Sequence, residues 1–105
     1  MGTYINSEDL LDHLTGAGAS QYDWYLDLSG EGNRITVEME DPSDSDKSVR
    51  KSVSVTEARK VIASIIKEQK SGWQYVAKAM ERDDFDASDA DIVLQYIALG
   101  ELVYG

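Results

Sequence analysis

The strongest constraint on this fold is a change of hydrophobic period at Ser54-Val55-Thr56-Glu57. Before that point apolar residues recur every second position, as in a half-buried strand, and after it they recur at i, i+3 and i+4. Ser54 and Glu57 have the spacing of a capping box, in which a hydroxyl and a carboxylate each accept from the other's backbone N–H. Ala58, Val61, Ile62, Ile65 and Ile66 then make one apolar stripe, so a helix is expected over Thr56–Gln69. Three alternating runs precede it. In Tyr22–Leu28 the residues Tyr22, Trp24, Leu26 and Leu28 share the inward side, and Asp23, Tyr25 and Asp27 the outward side. Ser29–Asn33 reads as a hairpin connector, with glycines that tolerate positive φ. Arg34–Glu40 puts Ile35, Val37 and Met39 inward, and Thr36, Glu38 and Glu40 outward. After a loop over Asp41–Asp46, Lys47–Val55 turns Val49, Val53 and Val55 inward, interrupted by Lys51. Such runs joined by short turns predict an antiparallel meander with one apolar face.

Helical spacing also appears outside the central stripe. Leu10, Leu11 and Leu14 predict a short helix over Ser7–Leu14, capped by Ser7 after Asn6, with Glu8 and Asp9 in its first turn. Trp73, Val76, Ala77 and Met80 predict a helix over Gly72–Arg82, followed by an acidic loop, Asp83–Asp86, around Phe85. A last helix is expected to start at Ser88, with Asp91 three residues on, and to run to about Val103. Ile92, Val93, Leu94, Tyr96, Ile97, Leu99 and Leu102 cover most of its circumference, so it must be buried on several sides, inside the domain or against another chain. The expectation is a single α+β domain over 1–105: a short N-terminal helix, a three-stranded antiparallel meander, then three helices covering one sheet face. The opening α-β-β-β-α order is shared with double-stranded RNA-binding domains, but the basic surface of those domains is missing.

Charge is sorted along the chain. Residues 1–46 carry −10, residues 47–70 carry +5 and residues 71–105 carry −5, for a net −10. Such a field repels nucleic acid and acidic membranes and attracts basic surfaces. Nucleic acid and membrane are therefore not expected as partners, and a basic protein surface is. There is no cysteine, which excludes disulfides, zinc-thiolate sites and thiol nucleophiles. Met1–Leu14 is acidic where a signal peptide needs a basic start and an apolar run, so the expected location is a cytoplasm, that of a host cell included.

Candidate chemistry is sparse. His13 follows Asp12, a carboxylate that could orient it as a general base, but no nucleophile lies nearby in sequence. Asp41, Ser43, Asp44 and Asp46, and again Asp84, Asp86, Ser88, Asp89 and Asp91, have the oxygen-rich look of calcium loops. In the second, Asp89 stands where an EF-hand needs glycine and Gln95 where it needs a bidentate glutamate. Gly16-Ala17-Gly18 and Gly30-Glu31-Gly32 lack the lysine and the strand–helix setting of a phosphate cradle. No cofactor, metal or catalytic residue is expected, and the chain reads as non-enzymatic. The basic block from Lys47 onward would pair across strands with Glu38 and Glu40. The candidate partner-binding residues are the outward acidic face and its rim: Asp23, Tyr25, Asp27, Glu31, Glu38, Glu40, Asp41 and Asp44.

The segment Asp89–Tyr96 with Gly100–Gly105 is similar to the closing helix of short acidic proteins encoded by phages and prophages of actinobacteria. The resemblance covers about a sixth of the chain and contains no catalytic motif. It implies a protein that binds host machinery, as anti-CRISPR, anti-defence and nucleic-acid-mimic inhibitors do. The alternative is a phage or bacterial accessory protein that assembles through its last helix, as a homodimer or with another protein.

Overall fold

The computed structural model describes residues 7–105. Its order is α1 (Ser7–Thr15), a 3₁₀ turn (Ala19–Gln21), β1 (Tyr25–Glu31), β2 (Arg34–Asp41), β3 (Asp44–Ser54), α2 (Val55–Lys67), α3 (Trp73–Glu81) and α4 (Ala87–Leu99). The strands form one antiparallel sheet in the order β1-β2-β3. The α+β architecture expected from the two periods is the one observed. Asn6 and the side chains of Ser7 and Glu8, which the expected cap involves, lie outside the described residues.

Ile35, Val37 and Met39 of β2 are fully buried under the helices, while Thr36, Glu38 and Glu40 point to the opposite face. α4 lies at the centre, packed on β2 and β3 and flanked by α1, α2 and α3. This arrangement answers the question left by its apolar circumference. Ala90, Val93, Leu94, Ile97 and Ala98 are buried within the chain itself. Burying each large aliphatic side chain contributes about 1.5–3 kcal/mol, so α4 is a main source of stability. α3 packs on α2 and α4, as an outer helix.

The capping box at the change of period is present. Glu57 N–H donates to Ser54 Oγ at 3.1 Å, and Ser54 N–H donates to Glu57 Oε1 at 2.9 Å. These bonds hold the Glu57 carboxyl below its ordinary range. α4 starts differently from the expectation at Ser88. Its cap is Asp86, whose Oδ1 accepts from Asp89 N–H at 2.8 Å, and Asp89 accepts in return from Asp86 N–H at 3.2 Å. Asp is as good a cap as Ser, and starting two residues earlier frees Asp91 for the interior. α4 stops at Gly100, so Leu102 and Val103 lie beyond the helix, in a segment without regular structure.

Strand boundaries also differ. β1 runs on through Ser29-Gly30-Glu31, leaving only Gly32-Asn33 as the turn, with Gly32 at φ +63. Gly30 has a packing reason instead: a Cβ there would lie 2.9 Å from Leu11 Cδ1, so its absence lets α1 close on β1. The expected Asp41–Asp46 loop is a two-residue turn, Pro42-Ser43, because Asp44 already pairs with Asp41. Val55 opens α2 and is not part of β3.

Candidate functional site

The side of the sheet without helices is built from side chains two residues apart on each strand. The register sets Asp27 opposite Glu38 and Glu38 opposite Arg50; Ser29, Thr36 and Ser52 form the next row, and Glu31, Arg34 and Ser54 the row at the hairpin. Asp27 and Glu38, like charges directly across a strand pair, would repel. Arg50 Nη1 bridges them, at 3.2 Å from Asp27 Oδ2 and 3.2 Å from Glu38 Oε1. Ser48 Oγ also donates to Glu38. The compensation expected from the basic block is thus partly real, but one guanidinium answers two carboxylates. Exposed pairs of this kind contribute only tenths of a kcal/mol.

The acidic surface continues past Glu40 to the β2–β3 turn. Asp41 Oδ1 accepts from Ser43 N–H at 2.9 Å and from Ser43 Oγ–H at 2.7 Å, bonds that hold its carboxyl below the ordinary range. Asp44 accepts from Asp46 N–H at 3.0 Å and lies 3.9 Å from Lys47 Nζ. The first oxygen-rich loop thus folds its carboxylates onto its own backbone and Lys47. The second is dispersed: Asp86 caps α4, Asp89 holds Arg82 Nη2 at 2.6 Å, and Asp91 enters the core. Burial pushes the Asp89 carboxyl up, against the pull of the Asp86 N–H and Arg82. Among the described residues no group of three or more His, Asp or Glu is placed to hold a metal ion. His13 packs against Phe85 at a tilt of 32°, ring centroids 5.6 Å apart, and its Nε2 lies 3.8 Å from Asp83 Oδ1.

Of the expected face residues, Asp27, Glu31, Glu38, Glu40, Asp41 and Asp44 fall on this side or its rim, while Asp23 is exposed in the turn before β1. Tyr25 does not belong there, which corrects the expectation. A β-bulge between Tyr25 and Asp27 sets two residues against one of β2, which inverts the alternation. Tyr25 is therefore buried, opposite Met39, and Leu26, expected inside, is 56% exposed. Nothing in the local sequence marks this bulge, because no glycine sits at it.

The bulge delivers Tyr25 to a polar network that the periodicity did not reveal. Asp91 Oδ1 accepts from Tyr25 Oη–H at 2.7 Å and from Trp24 Nε1–H at 2.9 Å, and Asp91 Oδ2 accepts from Gln95 Nε2–H at 2.9 Å. Burial first, then the Asp91 carboxylate, pushes the Tyr25 phenol well above its ordinary value. Gln95 is fully buried and satisfies all four of its hydrogen-bonding positions: besides Asp91, its amide donates to Tyr104 O at 3.0 Å and accepts from Val103 N–H at 2.9 Å and Tyr104 N–H at 2.8 Å. Tyr104 Oη–H reaches Glu40 O at 2.8 Å. Trp24 is stacked between Tyr22 and Tyr104, centroids 4.8 and 5.1 Å away, with both rings within 4° of parallel. A cleft of about 380 Å³ opens beside this stack, walled by Tyr22, Trp24, Tyr75, Tyr104, Ile92 and Asp91. The legible signal was Asp91 and Gln95, two polar residues at i, i+4 spacing that flank the apolar run Ile92-Val93-Leu94.

Compared with known proteins, the chain matches no family model, no curated protein and no solved structure.

Proposed function

We propose that this chain is a non-enzymatic acidic binding protein that docks on a basic surface of another protein, one that itself handles nucleic acid. In this reading it acts as phage-encoded anti-CRISPR, anti-defence and nucleic-acid-mimic inhibitors do, in the cytoplasm of a bacterial host. One observation carries the reading: the sheet face without helices sets Asp27, Glu31, Glu38 and Glu40 in rows against only Arg34 and Arg50. Short hydroxyl side chains (Ser29, Thr36, Ser48, Ser52) fill the rest of the face. Like charges opposed across strands work against folding, so a face that keeps them has a use for the field. Steering a basic groove onto it supplies that use and makes association fall with ionic strength. The other reading, assembly through the last helix, has less support: Ala90, Val93, Leu94, Ile97 and Ala98 of α4 are buried within the chain, which leaves Tyr96 and Leu99 half-buried.

The test is capture of a host protein by the wild type and by an Asp27→Asn, Glu38→Gln, Glu40→Gln variant. Neutral residues are preferred to lysines, which would crowd Arg50 with like charge. The expected result is a basic partner, released by about 0.5 M salt and displaced by duplex DNA, with capture lost in a variant of unchanged melting. Capture that survives both the substitutions and high salt would refute the proposal.

A further inference from the structure

We infer that the cleft beside the aromatic stack receives an arginine side chain from the partner. The inference rests on the reading above that the partner is basic, and it adds an anchor point to the diffuse acidic face. Three features of the cleft select that group.

The first is charge. Asp91 lines the cleft and is 6% exposed, its three donors are neutral groups, and none of the ion pairs among the described residues includes it. A carboxylate offers about four acceptor positions. Oδ1 accepts from both Trp24 and Tyr25, whereas Oδ2 accepts from Gln95 only. One of the carboxylate's acceptor positions therefore has no donor among the described residues, and a cation in the cleft would satisfy the charge as well.

The second is the wall. Four aromatic side chains, Tyr22, Trp24, Tyr75 and Tyr104, line the cleft together with Asp91, and three of them are parallel plates. Aromatic faces attract cations, and a planar guanidinium also stacks on them. Lysine fits less well: its ammonium is strongly hydrated and wants three acceptors, and the walls of this cleft are mostly apolar, with Asp91 among them.

The third is availability. Tyr75 is 64% exposed, a large aromatic left on the surface at the mouth of a cleft of about 380 Å³, which is within the range of small-ligand sites. Tryptophan, tyrosine and arginine are the residues enriched at interface hot spots.

The test uses N-acetyl-arginine amide as the probe, with N-acetyl-citrulline amide as its neutral counterpart of nearly equal shape, and follows the indole N–H resonances of the full chain by NMR. The expected result is a saturable millimolar shift of the Trp24 resonance, with Trp73, which does not line the cleft, as the internal control. Arginine should bind at least about fivefold more tightly than citrulline. Tyr75→Ala, at an exposed site that leaves the core intact, should weaken arginine binding about threefold or more. Asp91→Asn, if it folds, should remove the preference for arginine over citrulline. Equal binding of the two probes, no shift at Trp24, or an unaffected Tyr75→Ala variant would each overturn the inference. The Asp27→Asn, Glu38→Gln, Glu40→Gln variant should bind arginine amide as the wild type does, so loss of partner capture there bears on the sheet face and not on the cleft.

Discussion

Replacing Gln95 with leucine should undock the tail while leaving the body of the fold intact. The two side chains are close in volume, so no large cavity forms at a position that is fully buried. The substitution removes four hydrogen bonds of 2.8–3.0 Å. Val103 and Tyr104 can turn their freed backbone groups to water, so those three bonds cost little once the tail is released. Asp91 loses one of three donors inside the protein, a charge-assisted bond worth about 1.5–3 kcal/mol. Release of Tyr104 also removes its bond to Glu40 O, about 1 kcal/mol, and one side of the Trp24 stack, about 0.5–1.5 kcal/mol. Freedom regained by the two residues that undock, Val103 and Tyr104, offsets about 1 kcal/mol for each, which leaves a net loss of roughly 2 kcal/mol. With a urea m-value of about 1.5 kcal/mol/M, the midpoint should fall by about 1.3 M at unchanged m. Urea titration by far-UV circular dichroism measures this, and a red-shifted Trp24 emission reports the lost stack. Tyr104→Ala should cost about 1–2 kcal/mol in the wild type but almost nothing in the Gln95→Leu background, because both act through one docked tail. A midpoint change under about 0.3 M, or full additivity of the two substitutions, would refute the account.

Truncating Val37, fully buried on the helix side of β2, to alanine should cost about 1.5–3 kcal/mol. Thr36→Ala on the other face should stay within about 0.5 kcal/mol in the same urea titration; equal costs would mean the register is wrong. Tyr25 ties stability to alkaline pH: its phenol is held protonated in the fold and loses its proton near pH 10 when unfolded. The unfolded chain then binds fewer protons, so above that pH stability falls by up to about 1.4 kcal/mol per pH unit. Tyr25→Phe should flatten this slope in pH-dependent melts, with a residue from Tyr96 and Tyr104, whose phenols are also raised. Gln69 ends α2 at φ +50, a left-handed conformation that suits glycine. Gln69→Gly should therefore raise stability by about 0.5–1 kcal/mol, and a lower melting temperature would contradict that reading.

The sequence by itself determined the elements and their order. Periodicity is a local property, and the alternation in Arg34–Glu40 and the i, i+3, i+4 stripe from Ala58 to Ile66 each specify an element with one buried face. The capping box at Ser54 and Glu57 was equally legible, since its partners are three residues apart. Most of the acidic face followed from the same alternation: Asp27, Glu38 and Glu40 point where their parity puts them. Only the tertiary structure decided the rest, for reasons of contact between distant residues. The bulge that turned Tyr25 inward has no local marker, because its reward is a hydrogen bond to Asp91, 66 positions away. Asp86 took the cap expected of Ser88 because Asp91 is held inside by Trp24, Tyr25 and Gln95. The apolar circumference of α4 could have meant a partner chain. What covers it is the arrangement of the sheet, α1, α2 and α3 around one helix, and no property of a single segment encodes that.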